Sequence, residues 1–205
     1  MKSSITTLNE LDGITLIKQA GIPVIDCILA KDKKEVEAAA SQLGFPVALK
    51  ICSEFVPHKT DRGGVALNIA DASSLGEAFQ EMNRKFSEVP HAYLVQTMAR
   101  PGTELILGAR RDPVFGPVVL AGIGGIFTEI FRDTAIDLAP VDNAVACAML
   151  RRLKGAALLE GYRSQKPLDI NAIVNAISAL SRLISERPDV LEIDVNPLIA
   201  YPDGV

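Results

Sequence analysis

Near the C-terminal end the chain reads Glu192-Ile193-Asp194-Val195-Asn196-Pro197. Apolar and polar residues alternate here, the period of a β-strand with one face for a core and one for solvent or ligand. On that second face Glu192, Asp194 and Asn196 stand about 6–7 Å apart, two residues of strand rise each. Two carboxylates and an amide oxygen in one row repel each other unless a cation joins them. Hard oxygen donors of this kind suit Mg²⁺, which takes one or two protein groups and fills its shell with water and phosphate oxygens. A solvated strand face gives the same alternation, so the stretch by itself leaves both readings open.

A second set of residues bears on phosphate. Lys50 interrupts the apolar run PVALKI, where an ammonium either snorkels to the surface or meets an anion. The loop that follows, SEFVPHKTDRGGV, carries His58, Lys59, Asp61 and Arg62 ahead of Gly63 and Gly64. Glycines let backbone amides approach a phosphate, and Lys59 or Arg62 supplies charge to neutralise it. The loop is not of the Walker type, because no GKS or GKT follows it. His58 is one of two histidines and reads either as an exposed loop residue or as a nucleophile that accepts a phosphoryl group. In VQTMARPGTE, Gln96 and Glu104 flank a chain crossing that can offer backbone groups to a base and a carboxylate to ribose. The segment GIGGIFTEIFRD gathers Gly124, Gly125, Glu129, Arg132 and Asp133, its acids serving a cation or merely the surface.

Composition narrows the partners. The chain has 205 residues, 48% hydrophobic and 22% charged, which fits a globular protein with one large or two small cores. A formal charge of −4 argues against nucleic acid and anionic membranes as general partners. No apolar run reaches membrane-spanning length and the N-terminus lacks the apolar centre of a signal peptide. Cys27, Cys52 and Cys147 are odd in number and follow no metal or disulfide spacing. Together these features predict a cytoplasmic protein.

The elements that must position these groups can be read in order. Residues 9–20 form a helix with Leu11, Ile14, Ile17 and Ala20 on one stripe, stopped by Gly21 and Pro23. A strand follows over Val24–Ala30, then a helix capped by Asp32 with Glu35 completing a capping box. Strands are expected at Val47–Cys52, Val65–Ile69 and Tyr93–Met98, with a helix capped by Asp71 running to about Phe86. Up to this point the alternation suits an α/β or α+β sandwich. From Gly102 the texture changes to short strands at Glu104–Ala109, Val118–Ala121, Ile126–Phe131 and Ala135–Leu138, which predicts an antiparallel sheet. Helices capped by Asp142 and Asp169 precede the acidic strand, with a glycine-punctuated loop between them. The shift in texture divides the chain into residues 1–98 and 99–205.

The order GIPV, PVALKI, HKTDRGGV, VQ…GTE, GIGGIFTE, GYR and EIDVNPL resembles an ATP-grasp domain of mixed α+β class. In detail it resembles the nucleotide-binding part of ADP-forming acyl-CoA synthetases, as β subunit or C-terminal region, and more distantly the β subunit of succinyl-CoA synthetase. The resemblance implies ATP or ADP with Mg²⁺, gripped between the two halves. It assigns Lys50 to the nucleotide phosphates, Gln96 to the adenine side of the hinge and Glu104 to the nucleotide. Asn196 falls on the metal-binding asparagine, with Asp194 and Glu192 beside it, and His58 on a histidine proposed to carry phosphate. It further implies a partner, a CoA-binding/ligase subunit or domain with its own phosphorylatable histidine, and the reaction acid + CoA + ATP = acyl-CoA + ADP + phosphate. Two positions depart from the family pattern: Ile14 stands where relatives have lysine, and Asp137 where they often have arginine. The family's last metal-binding strand would lie beyond Val205, so the final strand is expected to be truncated. A competing expectation is the regulatory ATP-grasp region of a protein-lysine acetyltransferase; a carboxylate–amine ligase fits less well, because it has no use for the HKTD loop.

Overall fold

The computed structural model describes residues 6–56, 59–125, 133–161 and 166–205. His58, Glu129, Arg132, the GYR residues Tyr162 and Arg163, and the strand expected at Ile126–Phe131 lie outside these. The described elements are α1 (Glu10–Gln19), β1 (Cys27–Ala30), α2 (Lys33–Leu43), β2 (Val47–Cys52), β3 (Val65–Ile69), α3 (Ala72–Lys85) and β4 (Ala92–Thr97). Then come β5 (Thr103–Asp112), β6 (Gly116–Ile123), β7 (Thr134–Leu138), α4 (Asn143–Arg151), α5 (Ala156–Leu159), α6 (Ile170–Glu186) and β8 (Glu192–Ala200). The chain divides into two compact units, one of residues 1–16 and 24–100, the other of residues 17–23 and 101–205.

The first unit holds a sheet of order β1-β4-β2-β3, antiparallel at every pairing. Val47, Leu49 and Ile51 of β2 point to a core shared with Val36 and Ala40 of α2 and with Leu75, Phe79 and Met82 of α3. The alternate residues Ala48, Lys50 and Cys52 therefore point the other way, to the side where Asn9 and Glu10 open α1. The helix starts are chemically defined. The side chain of Asp32 accepts the N–H of Glu35 at 2.9 Å, but the Glu35 carboxylate takes the N–H of Lys31 at 2.8 Å, so the expected reciprocal box closes one residue early. Asp71 and Ser74 do form a full capping box on α3.

The second unit carries the sheet β7-β6-β5-β8, again wholly antiparallel. One face, with Leu105, Leu107, Val119, Ala121 and Leu198, is buried under α6, whose Ile173, Ile177, Leu180 and Ile184 are themselves buried. Arg111 of β5 ties the end of that helix to the strand that follows. Its guanidinium donates to the carbonyls of Ile184, Arg187 and Val190, the last two at 3.0 and 3.1 Å. A cation at a helix C-terminus satisfies carbonyls that the helix leaves open. The short helix α5 occupies part of the segment expected to be loop. Asp133, 7% exposed, anchors its start by accepting the N–H groups of Lys154 and Gly155 at 2.8 and 2.7 Å. That buried carboxylate clamps two backbone amides and is not a surface charge. Asp137 pairs with Arg152 at 2.8 Å.

Candidate functional site

Each unit carries its own set of polar groups. In the first unit Lys50 pairs across the sheet with Leu94, and Gln96, two residues further along β4, pairs with Ala48 and Cys27. Strand alternation puts Lys50 and Gln96 on the same sheet face. Lys50 Nζ donates to Glu10 Oε1 at 2.8 Å, and Lys59 Nζ donates to Glu10 Oε2. All three side chains are about four-fifths buried, at 21%, 24% and 20% exposure for Lys50, Lys59 and Glu10. Burial pulls the pKa of both lysines below the usual value; for Lys50 the nearby Cys27 acts in the opposite direction. Two ammonium groups against one carboxylate leave a formal excess of one positive charge, the electrostatic requirement of an anion site.

Neither glycine of the loop offers an amide here. Gly63 N–H donates to Thr60 O at 3.0 Å and Gly64 N–H to Lys59 O at 2.7 Å, so both close the loop on itself. Gly63 has φ 68°, which favours glycine, and a Cβ on Gly64 would press on Lys59 and Phe86. Arg62 lies over the Phe86 ring, 5.6 Å from its centroid. Of the loop's cations within the described residues, it is Lys59 that reaches the Lys50 cluster.

In the second unit Asp194 pairs with Gly108 and Glu192 with Arg110, while Val195 pairs with Leu107 on the buried side. Glu192 and Asp194 are exposed on the face away from α6, and Asn196 is exposed where the register of β8 against β5 shifts. Glu104, the second residue of the neighbouring strand β5, is exposed. Its carbonyl accepts Gly124 N–H at 2.7 Å, and a Cβ on Gly124 would stand 2.8 Å from that oxygen. Partial burial, and then the charge of Glu192, raise the pKa of Asp194. A cation beside it would relieve both effects. Among the described residues no three His, Cys, Asp or Glu side chains converge as a closed ligand cage. An open row of two carboxylates and an amide fits Mg²⁺, which keeps water and phosphate oxygens in its shell, better than a metal that demands four protein ligands.

Comparison with known proteins decides the family. The whole chain, residues 1–205, matches the model of an ATP-grasp domain. The chain belongs to the ATP-grasp family. It is 37% identical over 202 residues to the β subunit of acetate–CoA ligase [ADP-forming] I of Pyrococcus furiosus, covering 96% of this chain and 87% of that one. Among solved structures it superposes with TM-score 0.90 and 41% identity on dinucleotide-forming acetyl-coenzyme A synthetase 1 of Ca. Korarchaeum cryptofilum in complex with coenzyme A and Ca-AMPCP, over 96% of this chain and 88% of that one. A second structure of that enzyme holds coenzyme A and Mg-AMPPCP, with a phosphohistidine segment pointing towards the nucleotide binding site; its TM-score is 0.78 at 40% identity, over 91% and 82% of the two chains. The chain spans about 29% of the length of the longer curated relatives it matches. The ATP-grasp α+β architecture expected from the motif order is thus the architecture found. No described helix is long and apolar enough to cross a membrane.

The register explains which sequence assignments share a surface: Lys50 with Gln96 in one unit, and Glu192 with Asp194 in the other. Glu10 was not singled out from the sequence. One glutamate at the start of a helix looks like an ordinary first-turn acid, and only the fold brings it to two lysines far along the chain.

Proposed function

We propose that the chain is the nucleotide-binding and phosphoryl-transferring part of an ADP-forming acyl-CoA synthetase, acting in the cytoplasm with a CoA-binding/ligase subunit or domain. The observation that carries this reading is the buried lysine cluster with its surplus positive charge, in an ATP-grasp chain similar to ADP-forming acetate–CoA ligases. In this reading Lys50 holds nucleotide phosphate oxygens, Gln96 borders the base and Glu104 faces the nucleoside. Gly63 and Gly64 shape the loop that carries His58 and Lys59. Asp194, Asn196 and Glu192 would hold Mg²⁺, which supplies charge neutralisation at the phosphates. The chain's own contribution to phosphoryl transfer is placement of the phosphates and fixed positive charge where negative charge gathers.

Mg-ATP or Mg-ADP should therefore stabilise the protein against heat. At a hundred times the dissociation constant the gain is about 2.7 kcal/mol by mass action. A melting curve unmoved by millimolar Mg-nucleotide would sink this function for the chain and favour a regulatory domain that has lost its ligand.

Asp194→Asn should act with opposite signs in two conditions. The raised pKa means that the folded protein disfavours the ionised carboxylate at neutral pH, and that this penalty fades as pH falls through the raised value. The neutral amide should raise the metal-free melting temperature at pH 7 by about 1–3 °C, a gain that shrinks in acid. The same substitution should remove most of the extra stabilisation that Mg²⁺ gives over nucleotide alone. A variant as responsive to Mg²⁺ as the parent would take Asp194 out of the metal set.

A further inference from the structure

We infer that Glu10 is a positioning residue: its carboxylate ties Lys50 and Lys59 into one two-cation site for the polyphosphate of a nucleoside di- or triphosphate. The inference rests on the function proposed above and adds a residue and a role to it. Three separate segments meet here: the first residue of α1, the middle of β2, and the loop after β2. The two carboxylate oxygens are divided, Oε1 to Lys50 and Oε2 to Lys59. Asn9 fixes the helix start by accepting the Asp12 N–H at 3.1 Å, which sets the direction of the Glu10 side chain.

Two geometric facts distinguish positioning from plugging. Each ammonium has three N–H donors and spends one on Glu10, which leaves two on each lysine for phosphate oxygens. The formal charge of the trio is still positive, so a phosphate adds to it without having to expel the carboxylate. Without Glu10 the two ammonium groups would repel each other, and two long side chains would search many rotamers before meeting a ligand. Room for the ligand exists beside the trio. A cavity of about 450 Å³ opens at the Glu10 and Lys59 end of the trio, lined also by Asn9, Ser53, Glu54 and Thr60.

The test is calorimetric titration of the parent, Glu10→Gln, Lys50→Ala and Lys59→Ala with Mg-ADP, tripolyphosphate and adenosine. Glu10→Gln should weaken Mg-ADP and tripolyphosphate by about tenfold, the scale of one charge-assisted hydrogen bond, and change adenosine less than about twofold. Combined with Lys59→Ala, it should cost less than the product of the two single losses, because both act through one pairing. A purely structural role would lower the nucleotide-free melting temperature and weaken all three ligands alike. Tighter phosphate binding by Glu10→Gln would identify the carboxylate as a competitor and overturn the inference, as would unchanged binding. If Lys50→Ala weakens Mg-ADP while Glu10→Gln does not, the positioning role alone falls. If the parent binds no Mg-ADP, the proposed function falls first and the inference with it.

Discussion

Lys50→Ala should weaken Mg-ATP binding about a hundredfold, the range of losing one partner from a largely buried, hydrogen-bonded charge pair. The folded protein should survive the change. Lys50 sits on the β2 face opposite the aliphatic core, and Val47, Leu49 and Ile51 fill that core without it. Its removal leaves the Glu10 carboxylate still bonded to Lys59, so no buried charge is stranded. The affinity of the parent should also fall as pH rises, and should do so below the usual lysine range. Burial lowers the Lys50 pKa, and Lys59 beside it is lowered for the same reason. Binding curves at several pH values would show this; an affinity flat into strongly alkaline solution would mean that neither ammonium meets phosphate. A Lys50→Ala protein that unfolds would make the lysine structural.

What the sequence made legible follows from the range of the interactions involved. Helix starts at Asp71, Asp142 and Asp169 were readable because a cap is written within four residues, and each side chain accepts its expected backbone N–H. Strands β2 and β3 were readable to the residue from their apolar runs and flanking turns. That Glu192 and Asp194 share a face was readable because strand period fixes it; the register shift at Asn196 is not written in that period. Whether the first unit was parallel or antiparallel was not readable. The pairing of β4 between β1 and β2 depends on contacts far apart in sequence, and alternating strands and helices describe either arrangement.

The less legible part of the candidate site depended on tertiary neighbours. Asp133 looked like a surface or cation-side acid because its partners are two backbone amides some twenty residues away. Gly63 and Gly64 resembled a phosphate-binding pair because composition cannot say whether an amide points at a ligand or at its own loop. Glu10 carried no signal at all until two distant lysines were placed on its two oxygens. Motif order, in contrast, is a global property of the chain, which is why it identified the family when single residues left alternatives open.

On the function proposed above, His58→Ala should abolish phosphoryl labelling of this chain and, with it, most acyl-CoA formation by the proposed complete enzyme. The residue lies outside the described structure, so the proposal starts from its place in the sequence, directly before Lys59, whose ammonium joins the Lys50–Glu10 cluster. A neutral imidazole nitrogen that attacks the γ-phosphorus of ATP forms an N–P bond as the bond to the ADP oxygen breaks, and the ring's other N–H proton leaves. Fixed ammonium charge near the transferred group would stabilise the phosphorane-like oxygens without reorganisation. The product is a phosphoramidate, acid-labile because protonation of the ring nitrogen makes it a good leaving group, and stable in base. The measurement supplies ATP labelled at the γ-phosphate to this chain together with the CoA-binding partner proposed above, then separates the two and treats each with acid or base. The parent should carry an acid-labile, base-stable mark on this chain; His58→Ala should carry none, while its affinity for Mg-ATP changes less than about twofold. A mark confined to the partner in the parent protein, or one of equal size on this chain in the variant, would leave phosphate carriage to another histidine and return His58 to an ordinary loop residue.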